Sequence, residues 1–212
     1  MRVVFVSVAL LAAQIATAAT PIDGWYSSIF GGLAYVPNNI NKTYYGLIRN
    51  NVSYENGYNV GGSIGFKSHP MRYEGELTYI SAQIDKFKVN SIPQTGVSGY
   101  SNAGLAMANV YYDFPEMLAA IQPYLGIGIG YAQVKAKLSS SGPYGWTSYT
   151  GSNNVFAYQA AAGLAYNFSE NYALNIGYRY VSTTRVNALG KGFQANLANL
   201  GAIYRFDEGR YK

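Results

Sequence analysis

A chain of 212 residues with no cysteine, 24 glycines, 22 tyrosines and a formal charge of +5 suits one domain, but not an ordinary soluble one: charged residues make up only 12% and aromatics 16%. Hydrophobic residues at 49% exclude intrinsic disorder, and scattered glycine without a Gly-X-Y period excludes collagen. The lack of cysteine removes disulfide scaffolds, thiolate zinc sites and cysteine nucleophiles.

Near the start, Arg2 precedes an apolar run from Val3 to Ala13, which is followed by Ala16-Thr17-Ala18. This order predicts a secretory signal peptide over 1–18, cleaved before Ala19, with a single domain over 19–212. The run is too short to span a membrane as a helix, which needs about 20 apolar residues. No later apolar stretch is long enough either, so no membrane helix is expected.

The rest of the chain has the period of two that marks β-strands. A weaker segment at 25–36 comes first. From Tyr58 to Phe66, Tyr58, Val60, Gly62, Ile64 and Phe66 alternate with Asn59, Gly61, Ser63 and Gly65, one face mostly bulky and the other small or polar. Tyr73, Leu77 and Tyr79 are interleaved with Arg72, Glu74, Glu76 and Thr78. A weaker segment at 103–114 precedes Leu125, Ile127, Ile129 and Tyr131, which alternate with Gly126, Gly128 and Gly130. Phe156–Phe168 and Tyr172–Tyr180 alternate clearly, and 194–206 closes the series. Eight strands result, joined by short links near 67–72, 115–123 and 167–171 and long links near 37–56, 81–101, 136–154 and 182–193. Alternating long and short links predict an antiparallel up-and-down meander with two unlike ends.

Volume decides which face meets which solvent. An eight-stranded barrel has an interior just wide enough for side chains to fill, and the bulky face carries too many Tyr, Phe, Leu and Ile residues to fit inside. The opposite face, mostly Gly, Ala, Ser and Asn, fills a narrow lumen but makes a poor soluble exterior. The expected fold is therefore all-β: an eight-stranded antiparallel up-and-down transmembrane β-barrel, apolar toward lipid and closed so that every backbone group is paired. Aromatic residues form two girdles, as expected at membrane interfaces. Phe66, Tyr73, Tyr112, Phe114, Tyr166, Phe168, Tyr172, Tyr204 and Phe206 flank the short links, and Tyr58, Tyr79, Tyr131, Phe156, Tyr158 and Tyr180 flank the long ones.

The segments Ala108–Phe114, Pro123–Ala132, Phe156–Gln159 and Tyr172–Tyr180 resemble the outer membrane β-barrel family of opacity-type surface antigens, related to the OmpA transmembrane barrel, over roughly 24–206. The resemblance implies a cell outer membrane protein with an antigen or adhesin role. Asn199, Gly201, Tyr204 and Phe206 resemble the C-terminal signal read by the barrel assembly machinery, which is thus an implied partner. Family members commonly end at that last aromatic, whereas here Asp207–Lys212 follows.

Within this frame the charges sort by position. Arg72, Glu74, Glu76, Asp113, Arg179 and Arg205 are expected to face inward as a lumen network of three bases and three acids, with Arg179 paired to Glu74 or Glu76. The long connections carry Lys42, Arg49, Lys86, Lys88, Lys135, Lys137, Arg185 and Lys191 against Glu55 and Asp85. Bacterial barrels place longer loops outside, so this basic rim would meet outer membrane lipid and lipopolysaccharide, and beyond them host polyanions or proteins. Asp23, Glu116, Glu170, Asp207 and Glu208 read as periplasmic surface. Tyr44, Tyr45, Tyr54, Tyr100, Trp146 and Tyr149 among small polar residues suit recognition surfaces.

Catalysis is not expected. His69, the only histidine, sits in a short periplasmic link without an obvious partner acid. One His and no Cys supply no zinc site, and the glycines at 126–130 are not a dinucleotide fingerprint. No cofactor and no nucleic acid are expected. Two functions stand: a structural or adhesin-type surface protein, or a narrow porin-like conduit for small solutes.

Overall fold

A computed structural model describes residues 22–37, 43–44, 48–54, 57–89, 92–93, 95–117, 120–142, 145–186 and 191–206; the proposed signal peptide lies outside them. All regular structure among the described residues is strand. The long strands are β1 Gly24–Tyr35, β2 Gly57–Ser68, β3 Met71–Val89, β4 Thr95–Asp113, β5 Ile121–Gly142, β6 Gly145–Asn167, β7 Tyr172–Val186 and β8 Lys191–Arg205. Each pairs antiparallel with the next. β8 then returns to β1, with Tyr26 opposite Arg205 and Tyr35 opposite Asn196. The sheet is thus a closed cylinder of eight strands, and closure leaves the wall no free edge.

The burial pattern is inside-out. Ile127 and Ile29 are 72% and 71% exposed, and Leu33, Ile64, Leu77, Ile176 and Leu200 are exposed beside them. Charged and amide side chains are buried instead. Such a wall is stable only where apolar solvent covers it, because water would leave the band as one large apolar patch. Aromatic rings pack against one another near the short turns: Trp25 on Phe66, Tyr112 on Phe114, and Phe168, Tyr172, Tyr204 and Phe206 in an unbroken series. Tyr131 and Phe156 meet at the other end, with ring centroids 6.3 Å apart.

The inward face is bulkier than its expected Gly, Ala, Ser and Asn content. Ile80, Leu105, Met107, Val134, Val181, Phe193 and Leu197 form a buried apolar cluster in the half toward the long hairpins. Tyr26, Tyr111 and Tyr124 are buried near the short turns. Glycines on neighbouring strands make this possible: a Cβ at Gly126 would lie 2.2 Å from the Tyr111 ring. Large and small inward positions therefore interlock across the cylinder.

The links differ from those drawn on the sequence. Around 81–101, β3 and β4 stay paired as far as Gln83 opposite Tyr100. Around 136–154, β5 and β6 keep register to Gly142 opposite Gly145. Within 37–56, Ile48–Tyr54 pairs with the outer part of β3 and with Thr43–Tyr44. The 182–193 link contains the end of β7 and the start of β8. Outside the bilayer both faces of a hairpin meet water, so the size contrast that marks a strand fades while the backbone ladder persists. At the opposite end, 67–72 contracts to a turn at His69–Pro70, which puts Lys67 and Arg72 inside the wall, and 115–123 ends where β5 begins at Ile121.

Candidate functional site

The lumen is the most elaborate polar arrangement among the described residues. It is layered, because register carries each inward row around the cylinder. Nearest the short turns, Arg72 Nε donates to Asp113 Oδ1 at 2.8 Å, and Lys67 Nζ lies 3.3 Å from Asp113 Oδ2. Lys67 also donates to Gln122 Oε1 at 3.1 Å. Arg72 Nη1 donates to Glu74 Oε1 at 3.1 Å, and Tyr26 Oη donates to the same oxygen. The Arg72 guanidinium lies 4.8 Å from the Tyr111 ring centre and 5.1 Å from that of Tyr124. Aromatic faces thus supply negative potential on the sides the carboxylates leave uncovered.

One layer further out, Glu76 is the hub. Arg179 Nη1 and Thr78 Oγ1 donate to its Oε1, while Asn109 Nδ2 at 2.9 Å and Gln159 Nε2 at 3.3 Å donate to its Oε2. Gln159 also donates to Asn109 Oδ1 at 2.7 Å. Arg179 stacks 4.4 Å from the Phe30 ring centre. In the amide orientation that satisfies both residues, Asn199 Oδ1 accepts from Arg179 Nε and Nη2 at 2.7 and 2.8 Å. A buried charge is tolerable only with this density of partners.

Of the six residues assigned to the lumen, five fall into two connected groups: Arg72, Glu74 and Asp113 in one, Glu76 and Arg179 in the other. Arg205 stands apart. Its Nη2 donates to Asn167 Oδ1 at 2.7 Å and its Nη1 to the Glu170 carbonyl at 3.3 Å, and Asn167 in turn donates to Glu116 Oε1 at 3.2 Å. Lys67, 2% exposed, joins this interior from a position expected in the 67–72 link, so the buried bases outnumber the acids. Parity could have found it, because the inward series Asn59, Ser63, Gly65 reaches position 67 in one further step.

The rim is described in part. Lys135 is exposed on β5. Lys42 lies outside the described residues, as do the side chains of Arg49, Lys86, Lys88, Lys137, Arg185 and Lys191 and those of the loop aromatics. In the strand that resembles an assembly signal, Tyr204 and Phe206 face outward with ring centroids 5.2 Å apart, whereas Gly201 is buried and Asn199 faces the lumen. Asp207 and Glu208 lie outside the described residues. His69 is exposed in its turn, and its backbone N–H donates to Asp23 Oδ2 at 3.3 Å. Among the described residues no three His, Cys, Asp or Glu side chains converge as a metal site would.

An apolar exterior with aromatic belts, a closed ladder and an ion-paired interior defines an integral barrel of the bacterial outer membrane. The chain belongs to the outer membrane protein beta-barrel domain family, whose model matches residues 3–206, and it resides in the cell outer membrane. An uncharacterized protein of Brucella abortus is 36% identical over 96 residues, 40% of this chain and 32% of that protein. The outer membrane protein PagN of Salmonella typhimurium is 32% identical over 84 residues, 38% of this chain and 34% of PagN. The chain thus spans about a third of the length of these relatives. Neisserial surface protein A shares the fold, with a TM-score of 0.57 at 17% identity, covering 86% of this chain and 97% of that one.

Proposed function

We propose that this barrel is a surface protein of structural and adhesin type, whose wall and lumen serve as a rigid anchor and whose outward hairpins make the contacts. The observation that carries this reading is the length of one hairpin. β5 has 22 residues and β6 has 23, whereas a strand crosses a bilayer with about 9–11. Beyond the aromatic level of Tyr131 and Phe156, the hairpin continues to Gly142 and Gly145, about 37 Å along the strand at ~3.4 Å per residue. A conduit has no use for such a mast; a contact surface does. The basic residues on these connections, Lys86, Lys88, Lys135 and Lys137 among them, suit sulfated or phosphorylated polyanions.

The expected result is salt-sensitive binding of the purified protein to heparin that weakens when these four lysines are changed to Gln. Binding that survives the change, or cells lacking the protein that attach to host surfaces normally, would overturn the adhesin reading. The outward Tyr204 and Phe206 support recognition of β8 by the barrel assembly machinery. Their replacement by Ala should lower the yield of folded barrel in cells while leaving refolding in detergent intact.

The conduit reading has less support. The lumen holds a gap of about 40 Å³ bordered by Glu74, Glu76 and Arg179 and another of about 10 Å³ beside Lys67, enough for a few waters at most. The apolar cluster of Leu105, Met107 and Phe193 covers the charged layers on the outer side. Purified protein in planar bilayers is expected to give no sustained openings; regular conductance steps would restore the conduit.

A further inference from the structure

The outward face of β4 breaks the pattern of the wall. Where neighbouring strands present Leu, Ile and Tyr to lipid, β4 presents Gly104, Ala106 and Ala108. Lumen glycines are explained by close approach, but a Cβ at Gly104 would meet nothing within 4 Å. Nothing inside the barrel requires a glycine at a position where strand propensity disfavours one. The result is a groove of about 500 Å³ in the lipid-facing wall, with Leu77 and Tyr79 on one bank and Tyr131 on the other.

Register sets its depth and its ends. Tyr79, Gly104, Gln133 and Asn154 form one outward row across β3 to β6. Leu77, Ala106, Tyr131 and Phe156 form the next row inward, followed by Gly75, Ala108, Ile129 and Tyr158. The part of β4 that lines the groove, Gly104 to Ala106, covers about 7 Å at ~3.4 Å per residue, level with the outer aromatic belt where Tyr131 and Phe156 meet. The groove therefore lies at the outer edge of the apolar band and opens on the long-hairpin side. At its mouth the chemistry changes at once: the row above contains Ser81, Asn102, Lys135 and Ser152, with Ser81 Oγ 3.0 Å from Asn102 Oδ1 and Lys135 exposed.

We propose that this groove seats one lipid A molecule of the outer leaflet, the headgroup end of an acyl chain lying over Gly104 and Ala106 and a headgroup phosphate at Lys135 among the amides of Gln133 and Asn154. An apolar floor ending in a cation and amide donors matches a phosphorylated glycolipid, and the phosphate sits at the level where the aromatic belt ends. The site rests only on the outer membrane placement, so it stands or falls independently of the adhesin reading.

The test uses the whole mature protein in nanodiscs of phosphatidylethanolamine doped with lipid A, with retained lipid counted by native mass spectrometry. Wild type should retain one lipid A. The pair Gly104→Leu and Ala106→Leu, which fills open space and leaves heat-modifiable gel mobility intact, should reduce retention about tenfold, the equivalent of roughly two methylenes no longer buried. Lys135→Gln should reduce lipid A retention without affecting phosphatidylethanolamine. Equal retention by wild type and the filled groove overturns the proposal, as does wild type that holds phosphatidylethanolamine as well as lipid A. Disulfide crosslinking of Gly104→Cys between copies would do so too, by making the groove an interface of the chain with itself.

Discussion

Glu76→Ala should be the most damaging single change in the lumen. The carboxylate is the ion partner of Arg179 and accepts hydrogen bonds from Thr78, Asn109 and Gln159. Its loss strands a buried guanidinium, a change that typically costs about 3–5 kcal/mol. Asn199 and the Phe30 ring remain beside Arg179 and pull the figure toward the lower end. The orphaned amides and hydroxyl push it back up, by at least about 1 kcal/mol for each group that stays buried without a partner, and the surviving bond from Gln159 to Asn109 spares part of that. The expected loss is about 4 kcal/mol. It can be read from urea unfolding of the barrel in lipid vesicles, followed by tryptophan fluorescence, with the outward Trp25 as one reporter. Combining Glu76→Ala with Arg179→Met removes both charges and should recover more than half of the loss. A single variant within about 0.5 kcal/mol of wild type, the range of an ordinary surface change, would refute the hub assignment. So would a double variant no better than the single one.

Two further outcomes follow from the wall. Ile127→Arg, at an exposed position midway between the aromatic belts, should destabilise the inserted barrel by about 2–4 kcal/mol in the same assay and reduce the heat-modifiable form on gels. Gly128→Ala and Gly104→Ala should differ sharply. A Cβ at 128 lies 1.9 Å from Asn109 Oδ1 and would displace that side chain from Glu76, at a cost of about 1–3 kcal/mol, whereas the open space at 104 makes the second change near neutral. Equal stabilities would undo the distinction between packing glycines and the groove glycine.

The parts of this molecule legible in the sequence are those where one face meets hydrocarbon and the other does not. Leu125–Tyr131 is plain because Ile and Tyr alternate with glycine. β4 is faint because the contrast is inverted there: Leu105 and Met107 turn inward while Gly104, Ala106 and Ala108 turn outward. The apolar cluster is hidden for the same reason, since Leu105, Met107, Phe193 and Leu197 put bulk on the face expected to be small. The outer halves of the hairpins lack the contrast of bulky against tiny residues that marks the wall. In the lumen, parity brings Arg72, Glu74 and Glu76 to one face of β3, but the grouping around Glu76 depends on cross-barrel distances that no single strand encodes.

The seam between β1 and β8 joins residues 26–35 to 196–205, almost the whole chain apart. Pairings of such long sequence separation come late, because the loop entropy must be met before the contact is made. A chain emerging in order would expose half-built, sticky strand edges until its final strand arrives. Premature collapse in an aqueous compartment is the hazard this topology carries until the last strand closes the cylinder.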